Sequence, residues 1–472
     1  MWPTSITPFL LAAGVLTVGL VLWGGLRRGI KGLASLRVIG VAVFWMGYQL
    51  SPLSSYFTGR IWDHFLLVPD EINAGLLFSL LCMWGYLFAY DLAARSHRAF
   101  PKRRFSGFEL PSPSPMLLYT LTLIAAGGFI VNIGGFDQIW HASYARGQGQ
   151  FAVRNLEGRL RQMIIVVSNS LDLITATAGA LAVLGERSRP RNKIAGWLAL
   201  AASDLSFCHG FSRAAGLPFV VVGVLAPLIR RKHGFRVAFL CALAAGYLGW
   251  VGYAQRGSYT PGLGTFSEAA LPSNLLTASA AMTKQKSPQF NLLDAMPAWT
   301  RVALDKSGTT GDGFSLALNW LSRLSPIPSQ ILPLAHVGTN LSATMGTWGK
   351  VGITTPTFAE IYYVFGVWGF LLMLPFGALF AFFDSLPRRM PGIVAYACWL
   401  LAMISLVTTL TGTTRAMTRP LLYALVLYAA NRLYESHRRA ELAMIPMHPL
   451  RQAERPAGIS GGDPRFRPSN HI

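Results

Sequence analysis

Apolar stretches of about 17–25 residues recur from one end of the chain to the other, which is the length a helix needs to cross about 30 Å of hydrocarbon. No other feature restricts the possible folds so severely. Inside a bilayer every backbone N–H and C=O must find its partner within the protein, so a spanning segment is either a helix or part of a closed barrel. A barrel requires short segments of alternating polarity, and these are absent. The sequence therefore specifies an all-α, polytopic transmembrane bundle. Its charge agrees, since 13% of the 472 residues are charged against roughly 25% in a soluble chain. A soluble globular enzyme is excluded.

The apolar segments predict about eleven spans, near 7–26, 38–54, 72–94, 115–133, 162–184, 193–209, 214–229, 236–254, 358–384, 391–411 and 416–432. The first carries its basic residues after it, not before it, which marks a retained anchor instead of a cleaved signal. The net charge of +21 would point to nucleic acid in a soluble protein. Here the basic residues cluster after alternate spans. Arg27, Arg28, Lys31 and Arg37 follow the first; Arg95, Arg98 and Lys102–Arg104 follow the third. Arg187, Arg189, Arg191 and Lys193 follow the fifth, Arg230–Lys232 the seventh, and Arg388 and Arg389 the ninth. Cytoplasmic connections carry this excess, so the pattern predicts a periplasmic N-terminus, a cytoplasmic C-terminus and no nucleic-acid partner. Acidic membrane lipids are the expected neighbours of the basic tail.

Four sections follow. Residues 1–254 hold eight spans and an Arg-rich outer connection at 134–161. Residues 255–357 form one large outer loop with short surface helices, 358–432 hold the last three spans, and 433–472 form a poorly ordered cytosolic tail. Cys82, Cys208, Cys241 and Cys398 lie in or beside apolar runs without CxxC spacing, so they read as small core residues.

Chemistry concentrates on the outer side. The connection at 134–161 holds Arg146, Arg154, Arg159 and Arg161, where the charge rule predicts few cations. Arg213, Arg256 and Arg323 stand at outer ends of spans or in the large loop, and Arg415 and Arg419 bracket the start of the last span. Each alone reads equally well as a headgroup contact. Together they suit an anion such as a phosphate, whose oxygens match the guanidinium fork. Asp172 and Asp204 fall well inside spans, the first near mid-span and the second a short turn away from Arg213; acids at such depth are functional candidates or structural pairs. Thr357 and Glu360 fit a capping box at the start of the ninth span. Glu360 equally suits a base that takes a proton from a hydroxyl.

Several of these residues lie in a pattern that resembles the Wzy-type O-antigen polymerases. The resemblance rests on the span layout with one dominant late outer loop, on Gly134-Gly135…Tyr144-Ala-Arg146, on Gly210-Phe-Ser-Arg213, and on Pro356-Thr-Phe-Ala-Glu360-Ile-Tyr-Tyr-Val-Phe-Gly366-Val-Trp-Gly369. Val364 stands where that family usually has Asn. The resemblance implies a membrane-embedded glycosyltransferase of the GT-C type. Its donor would be a polyprenyl-diphosphate-linked oligosaccharide, its acceptor the sugar of an incoming lipid-linked repeat unit, and a chain-length regulator a possible partner. O-antigen ligases share the donor and the architecture. A diphosphate leaving group needs positive charge, and the outer loops contain no Asp-x-Asp metal motif; no metal or cofactor is expected. The diphosphate contacts would be Arg146, Arg154, Arg213, Arg256 and Arg323, and the sugar contacts Tyr144, Tyr253 and Tyr362. Glu360 would be the base, with His336 and His209 in reserve. A transporter is the reading from another class; it would show broken helices and duplicated halves, and neither is apparent in the sequence.

The topology makes a direct prediction. Reporter fusions after Gly134 and after Ser287 should both report the periplasm, and a cytoplasmic signal at either point overturns the layout.

Overall fold

The computed structural model describes residues 6–58, 69–98, 113–133, 136, 139, 156–185, 188–207, 216–229, 233–254, 267, 271, 273, 317, 320, 321, 357–390, 393–409 and 414–444. All regular structure among the described residues is helical. The helices are α1 (Thr7–Arg27), α2 (Ile30–Leu33), α3 (Leu36–Tyr48), α4 (Leu50–Thr58), α5 (Pro69–Arg98), α6 (Pro115–Ile133) and α7 (Leu156–Leu184). They continue with α8 (Pro190–Phe207), α9 (Leu217–Ile229), α10 (Gly234–Ala254), α11 (Thr357–Phe365), α12 (Met373–Arg389), α13 (Ile393–Thr408) and α14 (Thr414–Met444). Each segment expected from hydropathy overlaps at least one of them. Thr7–Arg27, Asn73–Ser96 and Gly366–Arg389 are long and apolar enough to cross a membrane, and six further apolar helices are shorter. Phe9, Leu16, Leu20 and Trp23 of α1, and Phe235, Phe239, Leu240 and Leu243 of α10, are each more than half exposed. Such a surface suits lipid and is costly in water.

The structure departs from the expected spans in three places. The second is interrupted at Gln49, whose backbone leaves the helical region between α3 and α4. The ninth is not one helix: Gly366 adopts φ +58°, a conformation that glycine takes without steric cost, and Gly366–Leu372 continues as a 3-10 helix into α12. Gly369 packs directly on Ile361, so the chain folds back at Gly366, and α11 is a half-helix lying against the 3-10 segment. The last helix runs on to Met444, past the expected end near 432.

Two compact units are present, Met1–Tyr428 and Ala429–Ile472. In the second, Asn431 Nδ2 donates to Glu435 Oε1 at 2.9 Å, and Arg432 approaches the same carboxylate at 3.8 Å. These are local helix-surface pairs worth a few tenths of a kcal/mol.

In the first unit α5 pairs with α12, α6–α8 pack on one another, α9 pairs with α10, and α13 touches both α3 and α7. Small residues permit this, because lipid gives apolar helices no reason to associate and close backbone approach must do so. A Cβ on Gly377 would lie 2.4 Å from the Tyr86 carbonyl oxygen of α5. Gly179 and Gly196 face each other's carbonyls at the α7–α8 crossing, where a Cβ would come within 2.8 and 2.9 Å. Cys82 and Cys398 are fully buried and Cys241 nearly so, as core residues should be.

One end of this unit is held by charge. The Asp384 carboxylate of α12 is only 8% exposed. It accepts from Leu36 N of α3 at 3.2 Å, Tyr90 OH of α5 at 2.5 Å and Trp399 Nε1 of α13 at 3.0 Å, with the Arg388 guanidinium at 3.6 Å. Beside it Arg37 grips Asp91 through two bonds of 2.8 and 2.9 Å. A buried carboxylate is tolerated when its lone pairs are filled in this way. Asp384→Ala would orphan three buried donors at roughly 1–3 kcal/mol each. Its apparent melting temperature in detergent should therefore fall well below that of wild type, whereas Glu435→Ala should melt as wild type does.

Candidate active site

At the opposite end from Asp384, α3, α13 and α11 meet. Phe358, the second residue of α11, stacks on Tyr48 with ring centroids 4.3 Å apart and planes 16° from parallel. Phe44 and Phe78 pack on the same ring at 4.9 and 6.5 Å. The first turn of a helix leaves backbone N–H groups without intrahelical partners. Here the Tyr48 hydroxyl accepts from Phe358 N at 3.3 Å and donates to the Thr409 carbonyl at 2.9 Å, just past the end of α13. One phenol thus joins three elements.

Glu360 follows two residues later. It lies in the first turn of α11, is 1% exposed and is partnered. The helix opens at Thr357 itself, which is also buried. Glu360 is thus enclosed by protein, at the end of the bundle where Tyr48 and Thr409 meet. Tyr362, the expected sugar contact, packs edge-on against Phe78 of α5 at 4.8 Å. Near this end Ser405 Oγ donates to the Met417 carbonyl at 2.6 Å, tying α13 to α14, and the Arg419 Nε has no hydrogen-bond partner among the described residues.

A second polar cluster joins α7 and α8. Asp172 is 1% exposed, and its Oδ2 accepts from Ser206 Oγ; Ser203 Oγ donates to the Asp172 carbonyl at 2.8 Å. Asp172 Oδ1 and Asp204 Oδ1 have no partner among the described residues. Asp172 is thus level with the last turn of α8, because α7 begins at Leu156 and extends well beyond α8. It also stands near the middle of α7. Ile393, the first residue of α13, packs where α6 and α8 begin and α7 ends, so the Asp172 cluster lies toward the Tyr48 end of the bundle.

The other sequence candidates are distributed differently. Tyr144, Arg146, Arg154, His209, Arg213, Arg256, Arg323 and His336 lie outside the described residues, as do Cys208 and both long outer connections in the main. For Tyr253 the helical backbone of α10 is described, but not the side chain. The structure brings Glu360 and Tyr362 together with Tyr48, Phe358 and Thr409, which sequence reading did not single out. The available signal was Gln49, an amide in an otherwise apolar run, adjacent to Tyr48. Gln49 Nε2 donates to Ser79 Oγ at 3.1 Å, and its Oε1 presses on Gly14 of α1.

Comparison with protein-family models, curated proteins and solved structures finds no match to this chain.

The Phe358 packing has a measurable consequence. Phe358→Ala empties a ring-sized space among Phe44, Tyr48 and Phe78, a change that costs about 3–5 kcal/mol in well-packed cores. The variant should show reduced yield of monodisperse protein and a lower melting temperature, with Phe358→Leu intermediate.

Proposed function

We propose that this chain is a membrane glycosyltransferase of the O-antigen polymerase type. It acts at the periplasmic face of a bacterial inner membrane, with its N-terminus outside and its C-terminus inside, and crosses the membrane about eleven times. The observation that carries the reading is the half-helix α11. A buried Glu360 lies in its first turn, at the end of the bundle opposite Arg37 and Arg388, and within the Pro356…Gly369 stretch that resembles the polymerase family. The helix ends at Arg27, Arg37, Arg95, Lys193 and Arg388 would then face the cytoplasm, as the charge rule requires.

In this reading the donor is a glycan on polyprenyl diphosphate and the acceptor is an incoming lipid-linked repeat unit. A hydroxyl oxygen of the acceptor forms the new bond to the anomeric carbon of the donor. The bond from that carbon to the diphosphate breaks, and polyprenyl diphosphate leaves. Glu360 takes the hydroxyl proton, with His336 and His209 as the reserve bases. Arg213 and Arg256, joined by Arg146, Arg154 or Arg323, neutralise the leaving diphosphate. Preorganised charge of this kind is the largest single source of rate enhancement in many enzymes. Tyr144, Tyr253 and Tyr362 contact the sugars. The reaction needs no cofactor. Membrane lipid and a chain-length regulator are the remaining partners, and nucleic acid is not one.

An O-antigen ligase shares this donor chemistry and differs only in its acceptor. The interruptions at Gln49 and Gly366 also fit a transporter, where broken helices carry the substrate site. Both interruptions lie toward one end of the bundle, however, and Gly366–Arg389 is by itself long enough to cross. That arrangement suits chemistry at a face better than passage through the middle.

The test is polymer length on a gel, in a strain lacking the wild-type protein. Glu360→Gln should nearly abolish polymer at normal expression. Arg213→Ala should be more impaired than Arg213→Lys, which keeps the charge but loses the fork. Full-length polymer from Glu360→Gln removes that residue as the base; full activity of both Arg213→Ala and Arg256→Ala removes the diphosphate cradle.

A further inference from the structure

We infer that Tyr48 is the positioning residue for Glu360. The inference rests on the proposed role of Glu360 as base and adds to it the group that fixes where the carboxylate stands.

The argument starts from what holds α11. It has only nine residues, too few to be stable alone in water. At its far end it is separated from α12 by the left-handed Gly366 and a 3-10 segment, so α12 does not impose its helical register on the first turn. That turn is instead fixed from outside. The Tyr48 ring stacks on Phe358, and the Tyr48 hydroxyl accepts the Phe358 N–H while donating to the Thr409 carbonyl. Both functions of the hydroxyl are in use, so it cannot turn away without leaving a buried group unpaired. Tyr48 is itself the last residue of α3 and is buried, which makes it a rigid support. Glu360 lies two residues after Phe358 in the same helical turn. Any rotation of the first turn that moves the Phe358 N–H therefore moves the Glu360 carboxylate with it.

Proton transfer to a base depends steeply on its placement, and small errors in geometry cost large factors in rate. Tyr48 is buried and both functions of its hydroxyl are taken by protein groups, so it is assigned no substrate contact. Loss of its hydroxyl should thus appear in turnover and not in substrate affinity. Tyr48→Phe keeps the ring, hence the stack on Phe358, and deletes only the hydroxyl.

The experiment is steady-state elongation by purified full-length protein in lipid nanodiscs, using a synthetic polyprenyl-diphosphate oligosaccharide. Four proteins are compared: wild type, Tyr48→Phe, Glu360→Asp and the double variant. Size-exclusion profiles and melting temperatures verify that each is folded. Tyr48→Phe removes both hydrogen bonds of the hydroxyl and should lower kcat roughly tenfold or more, with KM unchanged. Glu360→Asp already displaces its carboxylate, so adding Tyr48→Phe to it should cost markedly less than tenfold. Unchanged kcat in Tyr48→Phe overturns the inference. So does a rise in KM at constant kcat, or an equal loss in both backgrounds, which marks a purely structural tyrosine. Full activity of Glu360→Gln in the same assay is a different result: it removes the base, and with it the reading on which the inference stands.

Discussion

The carboxylate of Asp384 is bonded from α3, α5 and α13 at once, and the geometry at the other end of the bundle depends on that. Leu36 binds Asp384 at the start of α3, and Tyr48 ends the same helix twelve residues later. At 1.5 Å per residue this is about 18 Å away. Trp399 binds Asp384 from α13, and Thr409 lies ten residues farther on, about 15 Å by the same rise. Fixing α3 at its start and α13 at Trp399 fixes the spacing of the far ends of both helices, which is where the Tyr48 hydroxyl meets the Thr409 carbonyl. The close crossing of α5 and α12 at Gly377 completes the frame, since α5 also supplies Phe78 to the α11 contact. A charged anchor at one end and an aromatic anchor at the other thus hold the half-helix that bears Glu360.

This division of labour suits a protein whose exterior is lipid. Apolar burial cannot direct helix association where the solvent is equally apolar, so specificity falls to glycine contacts and to buried polar groups. Both are concentrated at helix crossings here: Gly179 with Gly196, Gly377 with Tyr86, Asp172 with Ser206, Asp384 with its donors. The exposed faces of α1 and α10 carry none of them.

Much of the fold was legible from the sequence. Unbroken apolar length located the helices. The breaks were not legible. Phe365-Gly-Val-Trp-Gly-Phe is as apolar as the residues around it, and hydropathy does not register the sign of φ at Gly366. Gln49 interrupts its run chemically but is a single amide. Asp384 was passed over because it stands beside Arg388 near a span end, where a carboxylate reads as a surface pair; its three buried donors come from distant parts of the chain. As for the candidate site, Glu360 and Tyr362 were named from a motif in the sequence. Tyr48 was not, because an aromatic residue at the end of an apolar helix is ordinary and its role comes from a partner 310 residues away. The arginines remain a sequence argument, built on cations standing where the charge rule predicts few.

The central claim is that lipid-linked glycan, and nothing else, supplies both sugar and energy for the reaction. Purified protein in nanodiscs should elongate a polyprenyl-diphosphate oligosaccharide and release polyprenyl diphosphate in equal amount, without nucleotide sugar or ATP, and with EDTA present. Strict dependence on a nucleotide sugar, or loss of activity in EDTA with recovery on adding a divalent ion, would contradict it.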